Sequence, residues 1–354
     1  MINRIQIENF KSIRKLDLPL NQINILIGAN GAGKSNFISF FKLLDNLYLR
    51  NFQNYIADYA GAENILYFGL KQSDYLYCNI EFDKTNRYYL KLRPNKEGNL
   101  YFETEGTQFN NGKWDNQDLG NGYNESILIK QKYGRYEYVK AYMKSFKVFH
   151  FHDTSNTAKI KQKCDINDNE YLRDDARNLA AYLYVLQEKH PKEFKKIEMS
   201  VRSVAPFFEC FQLKPDRINE EQIRLEWKER NSDMYLNAIH LSDGTLRFIA
   251  LASLLLQPNM PKTIIIDEPE LGLHPFAINK LSGLIKQASA QSQIIISTQS
   301  INFIDNFEPE NIITVDRKDN QSVFNLQNSE NLKDWISEYS IGELWNKNVI
   351  GGRP

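Results

Sequence analysis

The run Gly28-Ala-Asn-Gly-Ala-Gly33-Lys34-Ser35 has the spacing GxxxxGK[ST]. Glycines at those intervals let the backbone wrap so that its N–H groups face phosphate oxygens. Asn30, Gly31, Ala32, Gly33, Lys34, Ser35 and Asn36 are therefore the candidate ligands of a nucleotide's phosphates. Lys34 can reach the β- and γ-phosphates and act in the transfer step, and the Ser35 hydroxyl can ligate Mg²⁺. Much later, Thr263-Ile-Ile-Ile-Asp267-Glu268-Pro-Glu270 ends an apolar run on adjacent carboxylates. Asp267 is the second candidate for Mg²⁺, held through water, and Glu268 is the candidate general base for an attacking water. Carboxylates after a buried strand are common, so this pair takes its meaning from the phosphate loop. Leu241-Ser242-Asp243-Gly244-Thr245 opens a helical pattern. A serine there is ordinarily a helix cap, yet its hydroxyl, the backbone N–H groups and the helix dipole together also suit a γ-phosphate.

These residues need a sheet edge to bring them together, and the periodicities supply one. Ile2, Ile5 and Ile7 predict a first strand, Phe10 to Leu20 a turn and a second, and Ile23 to Ile27 a buried third strand that ends at Gly28. A helix is expected from about Gly33. Residues 60–150, rich in Tyr, Phe and Thr with Asn and Gly punctuation, read as an antiparallel meander. From Asn169 to about Lys196 the spacing of Leu172, Leu179, Leu183 and Leu186 is helical, with Pro191, Pro206 and Pro215 limiting helix length. Beyond Leu241 the pattern alternates: helix to Leu256, buried strand 263–266, helix 276–289, buried strand 294–296. That alternation belongs to a parallel sheet covered on both faces.

Composition removes several classes. The 354 residues carry 44 Lys+Arg and 44 Asp+Glu, so no global basic field points to nucleic acid or a membrane. Lys159-Ile-Lys-Gln-Lys163 and the Arg87 to Lys96 stretch are the best basic clusters, and both read as solvated surface. Cys78, Cys164 and Cys210 have no metal-ligand spacing, which fits a reducing compartment. With no signal-peptide pattern and no long apolar run, a soluble cytoplasmic protein without a membrane partner is expected. No heptad run predicts a coiled-coil arm. His150 and His152 alternate as on a strand and are read as sheet support in the absence of a third ligand.

In order, the phosphate loop, LSDGT, IIIDEPELGLHP and IISTQS resemble the ABC-type ATPases of the RecF, SMC and OLD group, often labelled AAA-family ATPases. Leu241 to Thr245 looks like a degenerate LSGGQ signature, Leu271 to Pro275 like the D-loop, and Gln299 stands at the switch position where the family commonly has His. Glutamine can hydrogen-bond phosphate or water but cannot take up a proton, so slow hydrolysis is expected. The Q-loop residue stays open between Gln72 and Gln131. Val148 to Ser155 and Leu344 to Pro354 resemble segments of a narrower set of bacterial ATPases, and the last could be either a docking tail or a frayed end.

The resemblance implies an α/β ABC-ATPase head with a mixed or parallel core sheet, an antiparallel β subdomain and an inserted helical lobe. The expected boundaries are 1–165, 166–240 and 241–354. It implies an ATPase using ATP and Mg²⁺, with Glu268, Gln299 and Lys34 catalytic. Ser242 and Gly244 would act in trans, in a head-to-tail homodimer or higher oligomer. The leading role is a sensor or regulatory ATPase of an anti-phage defence system with a separately encoded nuclease or toxin. The alternatives are a RecF-like DNA-repair clamp with DNA as partner and, third, a transporter-associated ATPase.

Overall fold

The computed structural model describes residues 1–353. The chain forms two compact units, one from residues 1–148, 261–267 and 292 onward, the other from 149–260 and 268–291. In the first, β1 (Ile2–Phe10) and β2 (Ile13–Pro19) alternate apolar and polar residues and pair antiparallel, with Ile5 opposite Leu18 and Ile7 opposite Leu16. β3 (Ile23–Ile27) is instead buried at every position, as a strand covered on both faces must be. After α1 (Lys34–Tyr48) and α2 (Phe52–Asp58) come β4 (Leu76–Phe82), β5 (Asn86–Pro94), β6 (Leu100–Asn110) and β7 (Trp114–Gly120). They extend the first pair into one antiparallel sheet of order β2-β1-β4-β5-β6-β7. α3 (Arg135–Met143) and the short β8 (Val148–Phe149) end this stretch.

The second unit holds β9 (Cys164–Asp165), α4 (Leu179–Lys189), α5 (Pro191–Val204), β10 (Phe208–Phe211), β11 (Gln222–Ile223), β12 (Glu226–Glu229), β13 (Tyr235–Asn237), α6 (Asp243–Leu255) and α7 (Pro275–Ala288). It is wider than the 166–240 lobe expected from sequence and is not purely helical. β10, β12 and β13 form a sheet closed by the ring of Trp227 stacked on Phe208. Helical spacing from Asn169 yields a helix only from Leu179. Buried Asn178 accounts for the delay: its amide donates to Asp168 O and Tyr171 O at 2.8 Å each and its Oδ1 accepts from Arg173 N, pinning 168–178 as a loop. Pro191 opens α5 at its first turn, where its missing N–H costs nothing.

The remaining elements return to the first unit: β14 (Thr263–Asp267), β15 (Gln293–Thr298), α8 (Ile301–Ile304), β16 (Ile312–Lys318), β17 (Gln321–Leu326), α9 (Ser329–Leu332) and α10 (Ile341–Asn346). The core sheet runs β17-β16-β3-β15-β14-β8, with β16, β3, β15 and β14 parallel and β17 antiparallel. Phe37, Phe40, Phe41, Leu43, Leu44 and Leu47 of α1 are fully buried. They share one core with Ile265, Ile295 and Val315 of the core sheet and Ile5, Ile7 and Leu90 of the antiparallel sheet. Each such side chain contributes about 1.5–3 kcal/mol on burial, so α1 is fixed between the two sheets. The fold is α/β with mixed sheets. Among the described residues no helix is long and apolar enough to cross a membrane.

One polar cluster holds the antiparallel sheet. Glu105, fully buried, accepts hydrogen bonds from Tyr88 Oη at 2.6 Å, Tyr123 Oη and Ile127 N at 3.1 Å each, and Ser126 Oγ. Glu105→Ala leaves these donors buried without their acceptor and is expected to cost about 3 kcal/mol or more in urea denaturation. Glu105→Gln, which keeps one acceptor oxygen, is expected to cost clearly less.

Candidate functional site

The phosphate loop is shaped by what presses on it. A Cβ at Gly28 would lie 2.3 Å from Val315 O, so β16 requires glycine there. Gly33, at φ 121, is closed in by Ser322, whose Oγ would be 1.9 Å from an added Cβ. Ser322 Oγ donates to Ala32 O at 2.6 Å and accepts from Ser12 Oγ, which in turn accepts from Asn36 Nδ2 at 2.7 Å. The Asn36 side chain thus braces the loop from behind through Ser12 and Ser322, two residues the sequence motif does not contain. Gly31, at φ 78, has open space on its Cβ side, and Asn30, Gly31 and Ser35 are exposed. Lys34 is 5% exposed, and its Nζ donates to Gly28 O at 2.5 Å and Ala29 O at 3.0 Å. A cation is therefore held inside a ring of backbone at the N-terminus of α1, where the helix dipole adds positive potential.

Parallel register brings the other groups of this unit to the same edge. Ile27 pairs with Thr298, and Asp267 with Ser297, so β3, β15 and β14 end side by side. Open α/β sheets bind ligands at that carboxyl edge. Asp267 Oδ1 accepts from Ser297 Oγ, a hydroxyl 1% exposed. Ser297 was not singled out from sequence; the signal was its place on the strand beside the carboxylate. Carboxylate and hydroxyl oxygens at Asp267 and Ser35 are the donor set that suits Mg²⁺. Gln299 is exposed on the turn after β15, held by Thr298 Oγ1 accepting from Ser300 N at 3.0 Å and by Ser300 capping α8. Glu268, which opens the 268–291 stretch of the second unit, has φ 43, a left-handed conformation that costs a non-glycine residue on the order of 1 kcal/mol or more.

In the second unit Ser242 caps α6, its Oγ accepting from Thr245 N at 3.2 Å, and it stays exposed. Gly244 packs on the turn before α7: an added Cβ would meet Gly272 O at 2.5 Å. Arg247, passed over in the sequence, ties this region together. Its guanidinium donates to Leu271 O at 2.8 Å, His152 O at 2.7 Å, Phe151 O at 3.1 Å and Thr154 Oγ1 at 3.2 Å. A lone arginine inside an apolar helical run was the available sign. Lys161, read as solvated surface, is 4% exposed in its side chain and donates to Thr154 O and Asp243. His274 caps α7, its Nδ1 accepting from Phe276 N at 3.2 Å.

Comparison with known proteins agrees with this architecture. The SMC head bound to the C-winged helix domain of ScpA superposes with a TM-score of 0.60 at 18% identity, covering 94% of this chain and 99% of that one. The Pyrococcus furiosus Smc head with an extended coiled coil, bound to the C-terminal domain of ScpA, gives 0.61 at 14% identity, covering 95% and 98%. The Thermotoga maritima SMC head gives 0.50 at 12% identity, covering 93% and 99%. In sequence, a "putative ABC transporter ATP-binding protein" of Mycoplasma genitalium is 36% identical over 74 residues, 21% of this chain and only 20% of that protein's length. Residues 23–305, from β3 through α8, match the family described as "AAA domain, putative AbiEii toxin, Type IV TA system". With the phosphate loop, the carboxylate strand and the capped Ser242 helix all inside that span, the chain belongs to this AAA family and has the fold of an SMC ATPase head.

Proposed function

We propose that this chain hydrolyses ATP with Mg²⁺ across a head-to-tail dimer of two copies, as the cytoplasmic sensor or regulatory ATPase of an anti-phage defence system whose effector is a separately encoded nuclease or toxin. The observation that carries the ATPase reading is the common edge of β3, β15 and β14, where the strands that lead into the braced phosphate loop and the Gln299 turn end in one register with Asp267. In this reading Lys34 and the loop N–H groups bind the β- and γ-phosphates, Ser35 and Asp267 hold the metal, and Glu268 takes a proton from the attacking water. Bound Mg²⁺ supplies charge neutralisation of the phosphates. Gln299 orients water or phosphate without accepting a proton, which sets a slow rate. Ser242 and Gly244 stand exposed and half-exposed at the start of α6, and Arg247 holds that start to the 271–272 turn, so the pair is suited to close over ATP held by a second copy.

The family description, which names a toxin of a type IV system, supports the defence reading, and the ScpA complexes are of heads that engage a separate protein. A RecF-like DNA clamp is the second reading, favoured by the likeness to SMC heads. The basic stretch 87–96 speaks against it: Arg87 pairs with Glu81, Lys91 with Glu103, and Arg93 with Glu103 and Asp74, which leaves little net field for phosphates. A transporter role has only the short Mycoplasma match behind it.

Lys34→Ala is expected to weaken ATP binding by roughly tenfold to a hundredfold in titration calorimetry, the worth of charge-assisted hydrogen bonds to phosphate. Glu268→Gln is expected to trap an ATP-dependent dimer in analytical ultracentrifugation; a variant that stays monomeric at saturating ATP would sink the dimer. The same tagged variant, purified from its native host with ATP, is expected to bring down one protein at fixed stoichiometry and no nucleic acid. Co-purifying DNA without a protein partner would instead favour the clamp.

A further inference from the structure

The stretch from Ser340 to Gly352 is docked on the first unit at two places that matter for the proposed site. At one end, α10 begins with a reciprocal cap between Ser340 and Glu343 and packs on α8, the helix that follows the Gln299 turn. Gly342 N donates to Asp305 Oδ1 at 2.6 Å, and an added Cβ at Gly342 would meet Ile301 Cγ2 at 2.4 Å. Leu344 is fully buried, and Ile341, Trp345 and Ile350 nearly so.

At the other end, Gly351 and Gly352 both have left-handed backbones, φ 78 and 79. Gly352 N donates to Asp316 Oδ1 at 2.8 Å, and an added Cβ at Gly351 would lie 2.9 Å from Asp316 Oδ2. A Cβ at Gly352 would lie 3.4 Å from Ile27 O and 3.2 Å from Trp345 Nε1. Ile27 is the residue before Gly28, and Asp316 follows Val315, whose carbonyl presses on Gly28. A frayed end would have neither the paired glycines nor the buried anchors.

We propose that residues 340–352 are a clasp that fixes the spacing between the phosphate loop and the Gln299 turn, and so position both for ATP turnover. The functional half of this inference rests on the ATPase reading; the mechanical half does not. None of the clasp's buried side chains, Ile341, Leu344, Trp345 and Ile350, belongs to the main core shared by α1 and the two sheets. At the 350–352 end the polar contacts are few, Gly352 N donating to Asp316 Oδ1 and Gln327 Nε2 to Ile350 O at 3.4 Å, and two glycines add no side chains, so a single substitution can open it.

The test uses the full chain with Gly352→Val, which adds both steric conflict and φ strain, and Asp316→Ala, which removes the acceptor alone. Hydrogen exchange of the nucleotide-free protein is read first. The expected result is exchange at least about tenfold faster in 28–36 and 297–304 while β4 to β6 stay protected. Unchanged exchange in both stretches overturns the clasp whether or not ATP binds. ATP titration and steady-state rates follow: the expected result is about tenfold weaker ATP binding or an equal fall in kcat, with partial recovery in Asp316→Asn. Faster exchange with wild-type affinity and kcat overturns the positioning role. Faster exchange in a protein whose wild type binds no ATP leaves the clasp standing and removes the ATPase reading.

Discussion

The first unit's part of the candidate site depends on the parallel register of β3, β15 and β14. Because Ile27 pairs with Thr298 and Ser297 with Asp267, three chain segments far apart in sequence end at one level. A slip of one residue would turn every side chain to the opposite face, and the continuous isoleucine runs of these strands do not by themselves forbid it. From outside, α1 packs on these strands, with six fully buried apolar side chains in the core shared by this sheet and the antiparallel one. The helix whose first turn carries Lys34 and Ser35 is thus also the main packing element of the unit.

Around that frame, polar groups are placed by other polar groups. Asn36, Ser12 and Ser322 form a relay that ends on Ala32 O, and Ser297 holds Asp267. Arg247 does the same in the second unit, joining four acceptors from two stretches of chain. Such networks are stabilising only when each member is satisfied, which makes them rigid and well suited to positioning. The left-handed backbone of Glu268 is the opposite case, a local cost tolerated where the chemistry is expected.

The local elements with strong periodicity were legible. The strands at 2–7, 23–27, 263–266 and 294–296, the helix after the glycine loop and the 276–289 helix all lie where spacing alone puts them, because burial on one or both faces writes itself into the pattern. What was not legible depends on partners distant in sequence. The three-stranded sheet of β10, β12 and β13 sits inside the 166–240 stretch expected to be a helical lobe, and the loop at 168–178 is held by one buried asparagine. Lys161 looked like surface because a charge run usually is, and its burial against Asp243 is a tertiary fact. Of the site, the motif residues could be named and Ser297 and Arg247 left a trace, but the braces Ser12 and Ser322 could not be named, since a serine carries no signature of what it touches.

The central claim is that each active site is completed by a second copy, and mixing two inactive variants addresses it most directly. Lys34→Ala keeps Ser242, whereas Ser242→Asp keeps the phosphate loop and the α6 cap but sets a carboxylate against the approaching phosphate. Each variant alone is predicted to be nearly inactive. Their equimolar mixture is predicted to recover hydrolysis to about a quarter of the wild-type rate, the share of intact sites when copies pair at random. A mixture no more active than its two components would contradict a shared site.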